Sequence, residues 1–179
     1  MHAHQSPADL AISATLHCLT GCAIGEVLGM IVGTALGFSN LGTVALSVAL
    51  AFFFGYALTS LPLLRAGLAL SVVIPIALAS DTVSIAVMEI VDNGIMLLVP
   101  GAIDAGAGDL LFWGSLSFAL AIAGLVAVPV NGWLIARGRG HAVVHETGIH
   151  GGPDTRVVGA IFVVAFVFGV VVLGAEALG

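Results

Sequence analysis

The sequence has no lysine and only four arginines, and 8% of its 179 residues are charged. A soluble domain has roughly a quarter of charged residues, so an ordinary soluble fold is excluded. The shortage of basic residues also excludes nucleic-acid binding, which needs clustered lysine and arginine to neutralise phosphates. The two cysteines, Cys18 and Cys22, are one helical turn apart, whereas structural disulfides stabilise by closing longer loops.

Apolar residues dominate instead: 60% of the chain is hydrophobic, with a mean hydropathy of +1.21. Apolar runs long enough to cross a bilayer recur along the sequence. We therefore predict an all-α, polytopic membrane helix bundle with glycine-rich packing, forming a single transmembrane domain over residues 1–179. The predicted spans are 10–38, 43–61, 66–99, 110–136 and 157–178, and Pro62 is expected to end the second one.

The stretch 66–99 leaves two topologies open, because it is too long for one straight crossing of about 20 residues. It contains Pro75 and a polar break at 79–82, so two crossings would give six spans. One net crossing, by a tilted, broken or partly re-entrant element, gives five and collects all four arginines on one side, as the positive-inside rule prefers. We favour five spans, with the N-terminus and the polar His/Arg loop 137–156 in the cytoplasm and the acidic loop with Asp104 and Asp109 outside.

The first span carries polar and sulfur-bearing side chains at intervals of four residues. Cys18, Cys22, Glu26 and Met30 therefore climb one face of a helix, and His17 lies at the flank, about 100° from Cys18. Glycines at 21, 25, 29 and 33 fall on the same side. This glycine-rich side admits another helix, or an ion, at close range.

The second half of the long stretch repeats the pattern independently. Asp81, Met88, Glu89, Asp92 and Met96 share one face of an apolar helix. An alternative for Asp81 is that it caps a helix beginning there.

Glu26 and Glu89 lie near the middle of their spans, where an unpaired carboxylate costs several kcal/mol. No lysine or arginine lies within these spans, so the compensating positive charge must be a proton or a bound cation. Thiol and thioether groups favour Cu(I) or borderline Zn(II), whereas carboxylates alone suit Mn(II). We predict a transition-metal site, with Cu(I) favoured and zinc or manganese behind it, and ligands that exchange protons for the ion. Its predicted members are Cys18, Cys22, Glu26 and Met30 facing Met88, Glu89 and Asp92, with Asp81 and His17 beside them.

A second group of histidines lies outside the spans. His141 and His145 are four residues apart and could meet on an extension of the fourth span, and His150 follows. With His2 and His4 on the same side, they would form a secondary, metal-collecting site; a solvated loop is the alternative.

Three motifs resemble one family: His17–Glu26 (HCLTGCAIGE), Asp81–Glu89 (DTVSIAVME) and Val130–Leu134 (VNGWL). They are similar to the small prokaryotic membrane proteins grouped as the domain of unknown function 4396. The resemblance implies a multi-helix protein of the prokaryotic cell membrane, sometimes joined to or encoded near metal-handling modules. It supplies no established activity and no catalytic residues.

The predicted function is therefore binding and transport of a transition-metal cation, and we expect no enzyme activity. Because a pore through one chain of 179 residues is cramped, we expect a homo-oligomer in the lipid bilayer, with the glycine-rich faces as candidate contacts. Two alternatives remain: a membrane redox protein using the cysteines as a dithiol or the histidines as haem ligands, and an accessory subunit of a metal-handling complex. No haem-attachment motif or nucleotide-binding glycine loop favours the first.

Overall fold

The computed structural model describes residues 6–149 and 154–178, with only the backbone of His145. These residues form an all-helical bundle and no strand. The helices are α1 (Pro7–Ala35), α2 (Asn40–Arg65), α3 (Leu70–Leu98), α4 (Leu110–Ile135), the short α5 (Ala142–Glu146) and α6 (Thr155–Leu178). All except α5 are long and apolar enough to cross a membrane, which confirms the prediction of a polytopic helical membrane protein with five spans.

Helix α3 runs without interruption through the predicted polar break, so the six-span alternative and the broken and re-entrant forms of a single crossing are wrong, whereas a tilted crossing agrees with the structure. The hydroxyl of Ser80 donates to the carbonyl of Ala77 at 3.1 Å, and that of Thr82 donates to the carbonyl of Leu78 at 2.6 Å. These bonds satisfy the hydroxyls within the helix itself. At 29 residues, α3 is about 44 Å long and must tilt or protrude from a bilayer core about 30 Å thick.

Proline also fails to end α2 at the predicted position. Pro62 lies inside the helix, and its carbonyl accepts a hydrogen bond from the amide of Ala66 at 3.0 Å. A proline lacks the donor but keeps the acceptor, so the helix continues to Arg65.

The five long helices alternate in direction, so α1 and α3 run parallel and begin at the same end of the bundle. Arg65 ends α2 there, Arg137 and Arg139 follow α4, and Arg156 lies in the first turn of α6. We call this the arginine end, and the opposite end, with Asp104 and Asp109, the acidic end. All four arginines share one end, as expected for one net crossing; its cytoplasmic location stays a prediction.

Helices α1 and α2 pack through small residues on both sides. Methyl groups added at Gly21, Gly25, Gly29 and Gly33 would collide with Gly55, Ala51, Ser47 and Thr43 respectively. Both series are spaced by four residues, as in close-packed membrane helices. The glycine face of α1 is therefore filled by α2 of the same chain and is not a surface for a second copy.

Helix α6 lies at the edge of the bundle against α4. A Cβ added at Gly169 would lie 2.8 Å from the carbonyl oxygen of Gly114, and Gly169 is the one buried residue of the described part of α6. Most of the other described residues of α6 are exposed, whereas Phe162 and Phe166 are half-buried against the bundle. The predicted homo-oligomer stays a prediction.

Candidate metal centre

The polar faces of α1 and α3 meet inside the bundle. Because these helices run parallel, residues of α1 pair in order with residues of α3, beginning at the arginine end. The thiol of Cys18 lies 3.8 Å from Asp81 Oδ1, and the sulfur of Cys22 lies 4.0 Å from the sulfur of Met88. Further along, the Glu26 carboxyl interacts with those of Asp92 and Glu89. The two faces predicted from the sequence thus lie against each other.

At the arginine end of this contact, three potential ligands converge. One ligand atom each from Cys18, Asp81 and His141 can be chosen so that all lie within 4.8 Å of one another. His141 Nδ1 is 3.3 Å from Asp81 Oδ1. Cys18 and Asp81 are fully buried, and His141 is 9% exposed. We call this group the Cys-Asp-His cluster; it combines a sulfur, an oxygen and a nitrogen ligand in the bundle interior.

Asp81 lies in the interior of α3, so the alternative that it caps a helix is wrong. Capping residues stand just outside the first turn, where amide groups lack partners. Here Asp81 is held over Cys18 by its position on the helix face, and its Oδ2 accepts no hydrogen bond within the described part of the chain.

His141 reaches the cluster because the chain folds back after α4. That helix ends at Ile135, so the expected extension carrying His141 and His145 on one face is wrong. Gly138 and Gly140 have positive φ values of 65° and 60°, which glycine adopts without strain. A Cβ at Gly140 would lie 3.1 Å from the Cβ of Leu134 and 3.6 Å from the carbonyl oxygen of Ser80. The fold-back thus lays residues 140 and 141 directly on α3.

A second histidine lies beside the cluster without joining it. The rings of His17 and His141 meet edge to face, with centroids 5.2 Å apart. His17 Nε2 forms a hydrogen bond of 2.9 Å with the hydroxyl of Thr59 in α2. His17 therefore occupies the flanking position predicted for it and supports the ring of His141. Sequence reasoning missed Thr59, although a buried hydroxyl in an apolar span was a signal.

A buried amide ties together the three helices around the cluster. Asn131 of α4 donates to the hydroxyl of Thr15 in α1 at 2.8 Å and to that of Ser84 in α3 at 3.1 Å. All three side chains are almost fully buried. Sequence reasoning did not place Asn131 or Thr15 near the site, because nothing in a sequence shows which helix faces α4.

The second group of polar side chains, the acidic cluster, lies closer to the acidic end. Glu26, Glu89 and Asp92 are 0%, 5% and 1% exposed. Five of their six carboxyl oxygens accept no hydrogen bond from the described residues. The sixth, Glu89 Oε2, accepts one from the amide of Asn93 at 3.3 Å. Cys22 also interacts with Glu89.

The methionines divide between different surroundings. Met88 contacts Cys22 and is fully buried in the apolar core around Cys18 and Ile85. Met30 and Met96 instead belong to a second apolar cluster with Phe112 and Leu116. Their thioethers thus lie among apolar side chains rather than beside Cys18, an arrangement typical of core packing.

The sequence predicted one site, whereas the structure places its members in two clusters. Cys18 and Glu26 are eight residues apart on α1, which corresponds to about 12 Å of helical rise. Ligands bind a transition metal at about 2.0–2.3 Å, so one ion cannot contact both clusters. The sequence also placed His141 in a secondary site apart from the main one. This prediction is wrong, because His141 belongs to the Cys-Asp-His cluster. The side chain of His145, and the whole of His150, His2 and His4, lie outside the described residues.

A polar cleft opens at the acidic end. It has a volume of about 140 Å³ and is lined in part by Met30, Thr34, Thr43 and Asp104. At its rim, Asn40 Nδ2 donates to Asp104 Oδ1 at 2.6 Å. Met30 lies one helical turn from Glu26 on α1, so the cleft approaches the acidic cluster from the end opposite the Cys-Asp-His cluster.

Comparison with known proteins identifies the family of the chain. Searches of curated proteins and of solved structures found no match. The sequence model of one family matches residues 9–140, which covers the first four helices and ends one residue before His141. Both clusters except for His141 lie within the match, and α6 lies outside it. The chain belongs to the family described as Domain of unknown function (DUF4396).

Proposed function

We propose that this protein binds a divalent transition-metal ion at the Cys-Asp-His cluster and carries it across the membrane in which its helices lie. The observation that carries the proposal is the convergence of Cys18, Asp81 and His141 within 4.8 Å. They come from α1, from α3 and from the segment after α4. Three different segments supply one ligand each to the same buried place.

Two of the three distances within this group suit a tetrahedral ion. Ligand atoms about 2.0–2.3 Å from a tetrahedral zinc ion lie about 3.3–3.8 Å from one another. The separations of Asp81 Oδ1 from His141 Nδ1 and from the Cys18 sulfur are 3.3 Å and 3.8 Å. Three protein ligands leave a fourth position open, as is usual where a zinc ion must exchange its remaining ligand.

The ligand types favour Zn(II) over the other metals expected from the sequence. Cu(I) prefers sulfur ligands, and Mn(II) prefers oxygen. A set of one thiolate, one imidazole and one carboxylate lies between these preferences. The sulfur pair of Cys22 and Met88, 4.0 Å apart, keeps Cu(I) as the second candidate.

Transport is favoured over static binding by the arrangement along the bundle. The Cys-Asp-His cluster lies toward the arginine end, the acidic cluster about 12 Å further along the axis, and the cleft beside Met30 opens at the acidic end. Buried carboxylates inside membrane helices are typical of ion pathways. Catalysis by a dithiol is disfavoured, because side chains four residues apart on a helix have Cβ atoms about 5–6 Å apart, too far for a disulfide.

Metal analysis of the purified protein tests binding. After loading with Zn²⁺ and removal of excess ion, we expect one equivalent in the wild type and loss of that equivalent in Cys18→Ser and Asp81→Asn. The matched controls are Cys22→Ser and Asp92→Asn, which change the same residue types on the same two helices outside the cluster. Both controls should retain the metal.

Replacement of zinc by Co²⁺ adds a direct readout of the sulfur ligand. A thiolate-to-cobalt charge-transfer band should be present in the wild type and in Cys22→Ser, and absent in Cys18→Ser. Uptake of zinc into proteoliposomes then separates a transporter from a static binder. Absence of metal from the wild type under every loading condition would refute the proposal.

A further inference from the structure

We infer that the acidic cluster is a proton-binding site, and that its protons move in the direction opposite to the metal. The inference rests on the proposed metal transport for its coupling, but the protonation of the cluster has a test of its own. The observations are the burial of the three carboxyl groups, their proximity to one another, and the lack of a donor among the described residues for five of their six oxygens.

Ionised carboxylates in these surroundings would be strongly destabilised. Glu26 and Asp92 are at most 1% exposed, and all four of their carboxyl oxygens are buried without a donor among the described residues. Removal from water disfavours the charged form of each group, and neighbouring carboxylates would repel one another if both were charged. Protons shared among the three groups remove the charge and also provide the missing donors.

The helices packed around the cluster supply no positive side chain to take the place of these protons. Helix α4 has no titratable residue anywhere along its length. In α2 the titratable residues are Tyr56, which bonds with Thr82 at 2.9 Å, and Arg65 at the arginine end. On α1 and α3 the other titratable group facing the cluster is the thiol of Cys22, beside Glu89.

The position of the cluster on the axis suits proton exchange with the acidic end. The polar cleft there is lined by Met30 and Thr34, and Met30 is one helical turn from Glu26. The Cys-Asp-His cluster lies on the other side of the acidic cluster. An ion that travels from the arginine end to the cleft must therefore pass the three carboxyl groups.

The exchange balances in charge. When a divalent ion occupies the carboxylate oxygens in transit, two O–H bonds break and two protons leave through the cleft. When the ion leaves, two protons return and the O–H bonds form again. No electron is transferred, and the bundle interior gains no net charge in either state. The metal ion and the protons are thus alternative occupants of the same oxygens.

Infrared spectroscopy of the metal-free protein tests protonation without any reference to transport. At neutral pH we expect a C=O stretching band of protonated carboxylic acid, which loses most of its intensity in the double variant Glu26→Gln/Asp92→Asn because Glu89 is then the one carboxyl left in the cluster. The control is Glu176→Gln, since Glu176 is an exposed glutamate near the end of α6, and it should leave the band unchanged. Absence of the band from the wild type, or an undiminished band in the double variant, would overturn the inference.

Proteoliposomes with a trapped pH-sensitive dye test the coupling. External Zn²⁺ should make the interior more alkaline with the wild type and with Glu176→Gln, and this change should be lost with the double variant. Zinc bound in detergent should stay at one equivalent in all three proteins, because the Cys-Asp-His cluster is intact. Zinc uptake without proton movement, or proton movement that survives in the double variant, would contradict the inference. A wild type that binds no zinc would instead refute the proposed function.

Discussion

Replacement of Gly21 by alanine places a methyl group in the contact between α1 and α2. The added Cβ would lie 2.6 Å from the Cα of Gly55 and 2.7 Å from its nitrogen. Carbon atoms pack favourably at about 3.5–4.0 Å, so the helices must separate locally by about 1 Å. The opposing atoms belong to the backbone and cannot rotate away.

The loss of stability is best measured by comparison with alanine substitution at a second glycine, where the added methyl group has free space. A Cβ added at Gly94, inside α3, meets nothing within 4 Å. Both substitutions gain the same helix propensity, of about 1 kcal/mol, so that term cancels in the comparison. Overpacking costs about 1–3 kcal/mol, and we expect the free energy of unfolding of Gly21→Ala to be lower than that of Gly94→Ala by this amount.

Unfolding in detergent, followed by helical circular dichroism, measures this difference. Gly21 lies three residues after Cys18 on α1, so a displacement of α1 also moves the thiol relative to Asp81. We therefore expect weaker zinc binding in Gly21→Ala and unchanged binding in Gly94→Ala. Equal stability of the two variants would show that α1 and α2 do not approach as closely as described.

Two further predictions concern the fold-back and the topology. Gly140→Ala introduces a Cβ at a φ of 60° and 3.1 Å from the Cβ of Leu134. It should displace His141 and lower the affinity for zinc in a calorimetric titration. The control Gly108→Ala, whose added Cβ meets nothing within 4 Å, should bind zinc like the wild type. Unchanged affinity in Gly140→Ala would argue against His141 as a ligand. Cysteines introduced by Asp104→Cys and Arg156→Cys should react with a membrane-impermeant maleimide from opposite sides of the membrane, and labelling of both from the same side would refute the five-span arrangement.

The features of single helices that follow from regular helical spacing were predicted correctly. The faces bearing Cys18 and Glu26 on α1, and Asp81 and Asp92 on α3, follow from 100° of rotation per residue, which holds for any regular helix. The glycine series of α1 follows from the same spacing. These properties are local, so a sequence alone reveals them.

The predictions that failed concern contacts between distant segments, or polar residues and prolines that were expected to end a helix but are tolerated inside it. The stretch 79–82 was interpreted as a break because polar residues often end helices, but the hydroxyls of Ser80 and Thr82 bond within α3. Pro62 was expected to end α2, although one missing donor near a helix end is tolerated. Met30 was assigned to the metal site from its face alone, whereas the neighbours of that face, Phe112 and Leu116, come from α4.

The sequence by itself determined a membrane-spanning helical bundle, two polar helix faces and buried carboxylates that require a proton or a cation, because hydropathy and helical spacing are properties of single segments. Only the tertiary structure decided that α1 and α3 lie side by side in parallel, that their polar residues form two clusters and that His141 completes one of them. The register of two packed helices depends on side-chain shape along the whole contact, here on the glycines that bring α1 onto α2. The return of His141 depends on two glycines with positive φ after α4. Neither can be read from a single segment.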